Sequence, residues 1–67
     1  MNEYFVKFEV SHYQELPTTE FYFIMAESGE KAYSIGLDKV RNHWDSPFFE
    51  GSAKELTGIE LLDIRRL

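Results

Sequence analysis

The chain has 67 residues, of which 43% are hydrophobic, 16% aromatic and 28% charged, and its formal net charge is −5. A chain this short forms one domain at most, and without cysteine it has neither a disulfide nor a thiolate zinc site to support a small core. The aromatic content exceeds that of disordered acidic chains, so we expect a single folded domain over residues 1–67.

Residues 3–10 are predicted to form a strand, because apolar and polar side chains alternate along them. The apolar row consists of Tyr4, Val6, Phe8 and Val10. Phe5 is the apolar exception on the polar side of this strand. The segment that follows, residues 11–19, is mostly polar and contains Pro17, which predicts a connection longer than a two-residue hairpin turn.

A second strand is predicted over residues 20–26, and it differs from the first in being apolar on both sides. One side carries Phe21, Phe23 and Met25, and the other carries Tyr22, Ile24 and Ala26. Strands of this kind are typical of the centre of a sheet, where both faces are covered. We therefore expect a central strand, or a strand that another chain covers.

An amphipathic helix is predicted after Ser28, which is suited to cap its first turn. Its apolar arc contains Ala32, Tyr33, Gly36, Leu37, Val40 and Trp44. Gly36 lies inside this arc and favours a close approach of the helix to the sheet. The helix is predicted to stop at Asp45-Ser46-Pro47, because a proline cannot continue the helical hydrogen bonds.

The rest of the chain divides into a loop and a last apolar segment. Residues 45–58 are predicted to be a loop with bends at Gly51 and Gly58, and residues 52–56 could form one helical turn within it. The period of residues 59–67 fits either a strand or a helix, since Leu61 and Leu62 are adjacent. We favour a third strand because two-stranded sheets are weak on their own.

These elements predict an α+β fold of two layers: a three-stranded mixed sheet in the order β-β-α-β along the chain, with one amphipathic helix packed on one face. The second and third strands are expected to run parallel, because a helix connects them. A single helix covers only one face of such a sheet. The other face would hold Phe5 and one apolar row of the second strand, which is a large patch for a monomer.

The sequence contains no pattern typical of an active site, a metal site or a cofactor site. His12 and His43 lack ligand spacing, and His43 suits the end of a helix. The serines lie at predicted caps and turns, and a chain this small has little depth for a desolvated pocket. We expect a protein that is not an enzyme, uses no metal or cofactor, does not enter a membrane and works in the cytoplasm.

Charge is distributed unevenly, since the whole net charge of −5 falls within residues 1–30. The carboxylates concerned are Glu3, Glu9, Glu15, Glu20, Glu27 and Glu30. Direct binding of nucleic acid is disfavoured, because phosphate contacts need a basic surface. One interpretation is a solvated acidic face that keeps a small protein soluble. The other is an acidic hairpin that docks on the basic surface of a protein partner.

Aromatic residues in predicted loops form a second set of candidate binding residues, namely Tyr13, Phe48 and Phe49. Loops carry binding residues more often than strands and helices do, and aromatic side chains dominate binding hot spots. The alternative for Phe48 and Phe49 is that they fold back beside Trp44 and fill a core that is short of apolar volume.

In size, acidity, aromatic content and lack of cysteine, the chain resembles the small accessory proteins of phages and mobile elements that inhibit nucleic-acid machinery, anti-CRISPR proteins among them. The resemblance lies in bulk character and involves no motif. It implies a protein-binding inhibitor that acts on a nucleic-acid-handling partner by mimicking the charge of a nucleic acid. The alternative is a structural or assembly subunit, or a small regulatory module, that functions as a homo-oligomer such as a homodimer.

Overall fold

Three strands and one helix form two layers in a computed structural model that describes residues 1–44 and 47–67. The strands are β1 (Asn2–His12), β2 (Thr18–Ala26) and β3 (Leu56–Arg66), and the helix is α1 (Gly29–Trp44). They follow the predicted order β-β-α-β, and the last segment is a strand rather than a helix. The predicted two-layer α+β fold is confirmed.

The sheet has the strand order β2-β1-β3, with β1 in the centre. β2 and β3 run parallel to each other as predicted, but each pairs antiparallel with β1, so the sheet is antiparallel and not mixed. The prediction that the second strand is central was wrong. The alternating pattern of β1 fits a central strand with one open face, while β2 is an edge strand that exposes one of its apolar rows.

β3 is longer and less regular than predicted. It begins at Leu56, so Gly58 lies inside the strand and no helical turn forms at 52–56. Two register shifts against β1 leave Thr57 and Leu62 without a partner residue. Such bulges explain why the period of this segment is unclear in the sequence, because an extra residue moves the following side chains to the opposite face.

The core lies between α1 and one face of the sheet. Its buried residues are Tyr4, Val6, Phe8, Val10, Ile24, Ala26, Ala32 and Val40. The predicted apolar row of β1 is therefore fully buried. A Cβ atom placed on Gly36 would lie 2.9 Å from the Phe8 ring and 3.2 Å from Ile24 Cδ1, which confirms that this glycine permits a close approach of helix and sheet.

The two ends of α1 follow the sequence. The Lys31 N–H donates to Ser28 Oγ at 3.2 Å, so Ser28 caps the helix as predicted. The helix ends at Trp44, and the predicted stop signal at Asp45 and Ser46 lies outside the described residues. Among the residues that the structure describes, no helix has the length and apolar character needed to cross a membrane.

Candidate protein-interaction surface

The sheet face opposite α1, the uncovered face, carries a cluster of large apolar side chains. We call Phe5, Phe21, Phe23 and Met25 the aromatic patch. Phe5 on β1 lies opposite Phe23 on β2, and its ring centroid is 5.7 Å from that of Phe23 and 5.9 Å from that of Phe21. Phe21 and Phe23 are each 59% exposed and Met25 is 55% exposed. The expected apolar patch on this face is confirmed.

The area of the aromatic patch is comparable with that of the largest apolar patch on a typical monomer. If a large apolar side chain has about 200 Å² of surface, the exposed parts of Phe21, Phe23 and Met25 add up to roughly 350 Å². That is within the range of about 300–600 Å² typical of the largest patch on a monomer, which is often functional. The rings also contact one another, so they present one continuous apolar surface rather than scattered side chains.

Opposite charges flank the aromatic patch on the β3 side. The Arg65 guanidinium lies 5.2 Å from the centroid of the Phe5 ring and is 3.0 Å from Asp63 Oδ2. Asp63 is also the register partner of Lys7 on β1. The sequence did not reveal this arrangement, because the bulge at Leu62 hides the alternation that places Asp63 and Arg65 beside Phe5.

Two carboxylates meet at one end of the uncovered face. Glu9 on β1 lies directly opposite Glu60 on β3, and like charges in this position destabilise a sheet. Glu3 lies on the same face of β1, about 20 Å from Glu9 at the rise of an extended strand. Glutamates thus lie on both sides of the aromatic patch along the strand direction.

The six predicted acidic binding residues do not form one surface. Glu27 and Glu30 are exposed where β2 passes into α1, whereas Glu15 is exposed in the connection 13–17 at the opposite end of β2. Only Glu3 and Glu9 lie on the uncovered face. The carboxylates predicted to bind a partner therefore lie at several separate places and do not form one continuous hairpin face.

Glu20 has a different position from the other five glutamates, because it lies on the helix side of β2. Trp44 Nε1 and the Tyr22 hydroxyl both donate to its carboxylate, the latter at 2.8 Å. Burial of its hydroxyl, the hydrogen bond to Glu20 and the charge of that carboxylate raise the pKa of Tyr22 to about 12. Glu20 therefore joins α1 to the sheet, and its carboxylate, which we predicted to bind a partner, already accepts two hydrogen bonds within the chain.

His12 is buried beside Trp44, with their ring centroids 4.5 Å apart. Its Nδ1 lies 3.0 Å from the Lys54 carbonyl oxygen and its Nε2 lies 3.0 Å from Thr18 Oγ1. Since a carbonyl only accepts, Nδ1 donates to Lys54. His12 thus joins the end of β1 to the start of β2 and to the loop before β3. Within residues 1–44 and 47–67, no group of three or more metal-ligating side chains occurs, and no buried side-chain polar atom lacks a partner.

The predicted aromatic binding residues have different surroundings. Tyr13 is exposed in the connection 13–17, and its backbone N–H donates to the Glu55 carbonyl at 2.9 Å. Phe49 is half-buried with its ring centroid 5.4 Å from that of Trp44, which fits the interpretation that it fills the core. Phe48 is 89% exposed and contacts Phe49 edge-on. Neither phenylalanine belongs to the aromatic patch.

Two shallow depressions border α1. A groove of about 310 Å³ separates α1 from β3 and is lined by Tyr33, Leu37 and Arg41 on the helix. A smaller notch of about 220 Å³ lies at the end of β2 beside Lys31 and Ile35.

No family model, no curated protein and no solved structure matches this chain.

Proposed function

We propose that this chain is a non-enzymatic protein-binding module that docks the uncovered face of its sheet on another protein. The carrying observation is the aromatic patch, in which three side chains remain 55–59% exposed although they adjoin a well-packed sheet. The largest contiguous apolar patch on a monomer is often functional, and these side chains form such a patch. Phenylalanine and methionine are also enriched in the centres of such interfaces.

The charges around the aromatic patch define the chemistry of the partner. The carboxylates of Glu3, Glu9, Glu60 and Asp63 on this face outnumber its two cations, Lys7 and Arg65. The opposed pair Glu9 and Glu60 would be relieved by a cation from outside. The partner surface that fits is an apolar centre with lysine or arginine at its rim. Complementary potentials of this kind accelerate encounter and select the partner.

Proteins that handle nucleic acids carry such basic surfaces, and we propose that the partner belongs to this class. Occupation of its basic surface by the uncovered face would block the binding of its nucleic acid. This extends the proposal to an inhibitor of the phage or mobile-element type, with anti-CRISPR proteins as the nearest functional class. The uncovered face would then supply the contact, in place of a continuous acidic hairpin.

The experiment that tests this proposal compares capture by the wild-type chain and by the double variant Phe21→Ser/Phe23→Ser. The immobilised chain is exposed to a cell lysate, and captured proteins are identified by mass spectrometry. We expect the double variant to lose the captured basic protein, because both anchors are removed. Its thermal stability should change little, since both side chains are largely exposed. The purified partner is then assayed for nucleic-acid binding with and without the chain.

Two matched variants sharpen the comparison. Leu16→Ser removes an exposed apolar side chain of the connection 13–17, outside the aromatic patch, and should leave capture unchanged. Phe48→Ser removes the exposed phenyl ring of the turn after α1. If Phe48→Ser abolished capture while Phe21→Ser/Phe23→Ser did not, the turn would be the anchor and the proposal would be wrong.

A further inference from the structure

We infer that two copies of this chain pair along the free edges of β2 to form a six-stranded antiparallel sheet. β2 is an edge strand, so one side of its nine-residue backbone has no strand partner in the sheet. Unpaired N–H and C=O groups along an edge are a template for another strand. The inference is independent of the proposed function, because it concerns the edge of the sheet and a second copy.

The two edges of the sheet differ in their protection against such pairing. β3 carries two bulges and four charged residues, and both features discourage strand addition. β2 has no register shift and no proline within its bounds. Its only charged residue is Glu20, whose carboxylate already accepts from Trp44 and Tyr22. β2 is therefore the edge that is open to a partner strand.

One register pairs all nine residues of β2 with their counterparts in a second copy. Antiparallel pairing about a two-fold axis at Tyr22 places Thr18 opposite the partner's Ala26. The same register places Phe21 opposite the partner's Phe23 and the partner's Phe21 opposite Phe23. Cross-strand aromatic pairs stabilise a sheet, and these pairs would join the two aromatic patches into one.

A second copy fits better than a foreign strand because the molecule has an exposed apolar side chain before one end of β2 and a notch at the other end. Leu16, 86% exposed, lies two residues before β2. The notch of about 220 Å³ lies at the other end of β2, where Met1, Met25, Ala26 and Ile35 form its apolar wall and Glu27 and Lys31 its charged wall. In the register above, Thr18 of each copy lies opposite the partner's Ala26, which lines that notch. Leu16, two residues before Thr18, would then lie near the notch of the partner. A two-fold axis makes both contacts at once.

The tilt of α1 across the sheet is also compatible with this dimer. At its start, Gly29 lies beside Tyr4 of β1 and Ile64 of β3, away from the β2 edge. At its end, Trp44 donates to Glu20 on β2. In an antiparallel dimer, the C-terminal end of each helix lies close to the shared edge. It faces the N-terminal end of the other helix, which lies away from that edge. The two helices can therefore lie on the same side of the joined sheet.

Sedimentation equilibrium over about 5–500 μM protein tests the inference, a range that covers the affinities of small interfaces. We expect a monomer–dimer equilibrium for the wild-type chain. Leu16→Asp should raise its dissociation constant by about tenfold or more, since an apolar contact is replaced by a charge. Leu67→Asp makes the same change on the β3 side of the sheet and should leave the constant unchanged. A strictly monomeric wild-type chain, or equal effects of the two variants, would overturn the inference.

The register is tested separately by disulfide formation, which the cysteine-free chain allows without background. Residues opposite each other in antiparallel strands have Cα atoms about 4.5–5.5 Å apart, within the range for a disulfide. A mixture of Phe21→Cys and Phe23→Cys chains should therefore cross-link under mild oxidation faster than either variant alone. Equal rates would exclude this register.

Leu16→Asp leaves the aromatic patch intact, so loss of the dimer with retained partner capture separates this inference from the proposed function.

Discussion

Glu20 illustrates how strand alternation decides the role of a charged residue. Glu20 is two residues from Tyr22 and four from Ile24, so strand alternation places it with them on the helix side of β2. There its carboxylate accepts hydrogen bonds from Trp44 and Tyr22. Strand alternation alone would have separated Glu20 from the exposed glutamates. Counting charges along the sequence placed all six glutamates in one group.

His12 marks the limit of prediction at this scale. Its two ring contacts are to Lys54 and Thr18, which are 42 and 6 residues away in the chain. No local spacing reveals such partners, because they depend on where the loop before β3 returns to the sheet. The sequence could exclude a conspicuous metal motif, but it could not show that His12 joins three segments of the fold.

The pKa of Tyr22 gives a pH-dependent prediction. Burial and Glu20 raise it to about 12, above the ordinary value of about 10. Between these values the unfolded chain loses the proton of Tyr22 and the folded chain keeps it, so this contribution to stability is complete below pH 10 and disappears as the pH rises to about 12. Urea unfolding between pH 9 and 12 should show a smaller loss for Tyr22→Phe than for the wild-type chain.

Glu20→Gln is the matched variant for this prediction, because glutamine retains an acceptor but removes the negative charge. We expect the ultraviolet titration of tyrosinate to show ionisation of Tyr22 at lower pH in this variant. An unchanged titration would mean that the carboxylate does not influence Tyr22 and would contradict the contact in the structure.

At the scale of elements, the reliability of each prediction follows from the clarity of its period. β1 and α1 each keep one period throughout, and their bounds were predicted within two residues at the described ends. β3 contains bulges at Thr57 and Leu62, which change the phase twice within eleven residues. The position of β2 could not be predicted either, because strand order depends on pairing and not on the apolar pattern of one strand.

Gly36→Ala tests the packing of α1 on the sheet. Alanine is favoured over glycine in a helix by about 1 kcal/mol. The added methyl group would, however, lie 2.9 Å from the ring of fully buried Phe8 and 3.2 Å from Ile24. Overpacking of a core typically costs about 1–3 kcal/mol, so we expect a net loss of about 1 kcal/mol in urea unfolding.

Ser34→Ala provides the comparison for Gly36→Ala, since Ser34 is exposed on the same helix. This substitution gains helix propensity without entering the core and should raise the free energy of unfolding by about 0.3 kcal/mol. If Gly36→Ala raised the free energy of unfolding by a similar amount, the close approach between α1 and β1 would not exist in solution.

The whole molecule separates its apolar and acidic surfaces in a way that composition does not show. The net charge of −5 is concentrated in residues 1–30, but folding disperses those carboxylates to the uncovered face, to both ends of β2 and to the helix side. Folding also brings Glu60 from the neutral half of the sequence next to Glu9. The acidic character of the uncovered face therefore depends on tertiary structure, and the aromatic patch at its centre was the part that alternation could predict.

Neutralising the uncovered face should slow its association with the captured partner. The triple variant Glu3→Gln/Glu9→Gln/Glu60→Gln removes three charges from this face, and we expect an association rate about tenfold lower at low salt. Its stability should be equal or higher by about 0.2–1 kcal/mol, because the repulsion between Glu9 and Glu60 is removed. Surface plasmon resonance at about 0.05 M and 0.5 M NaCl measures the rate and its screening.

A second triple variant, Glu30→Gln/Asp38→Asn/Glu50→Gln, changes the net charge by the same amount at exposed positions on α1 and in the turn after it. If the partner docks on the uncovered face, these distant charges are screened at about 0.15 M salt, where the Debye length is about 8 Å. The rate for this variant should then stay close to that of the wild-type chain. Equal slowing by both variants would assign the effect to overall negative charge, and the uncovered face would lose its role in selecting a basic partner.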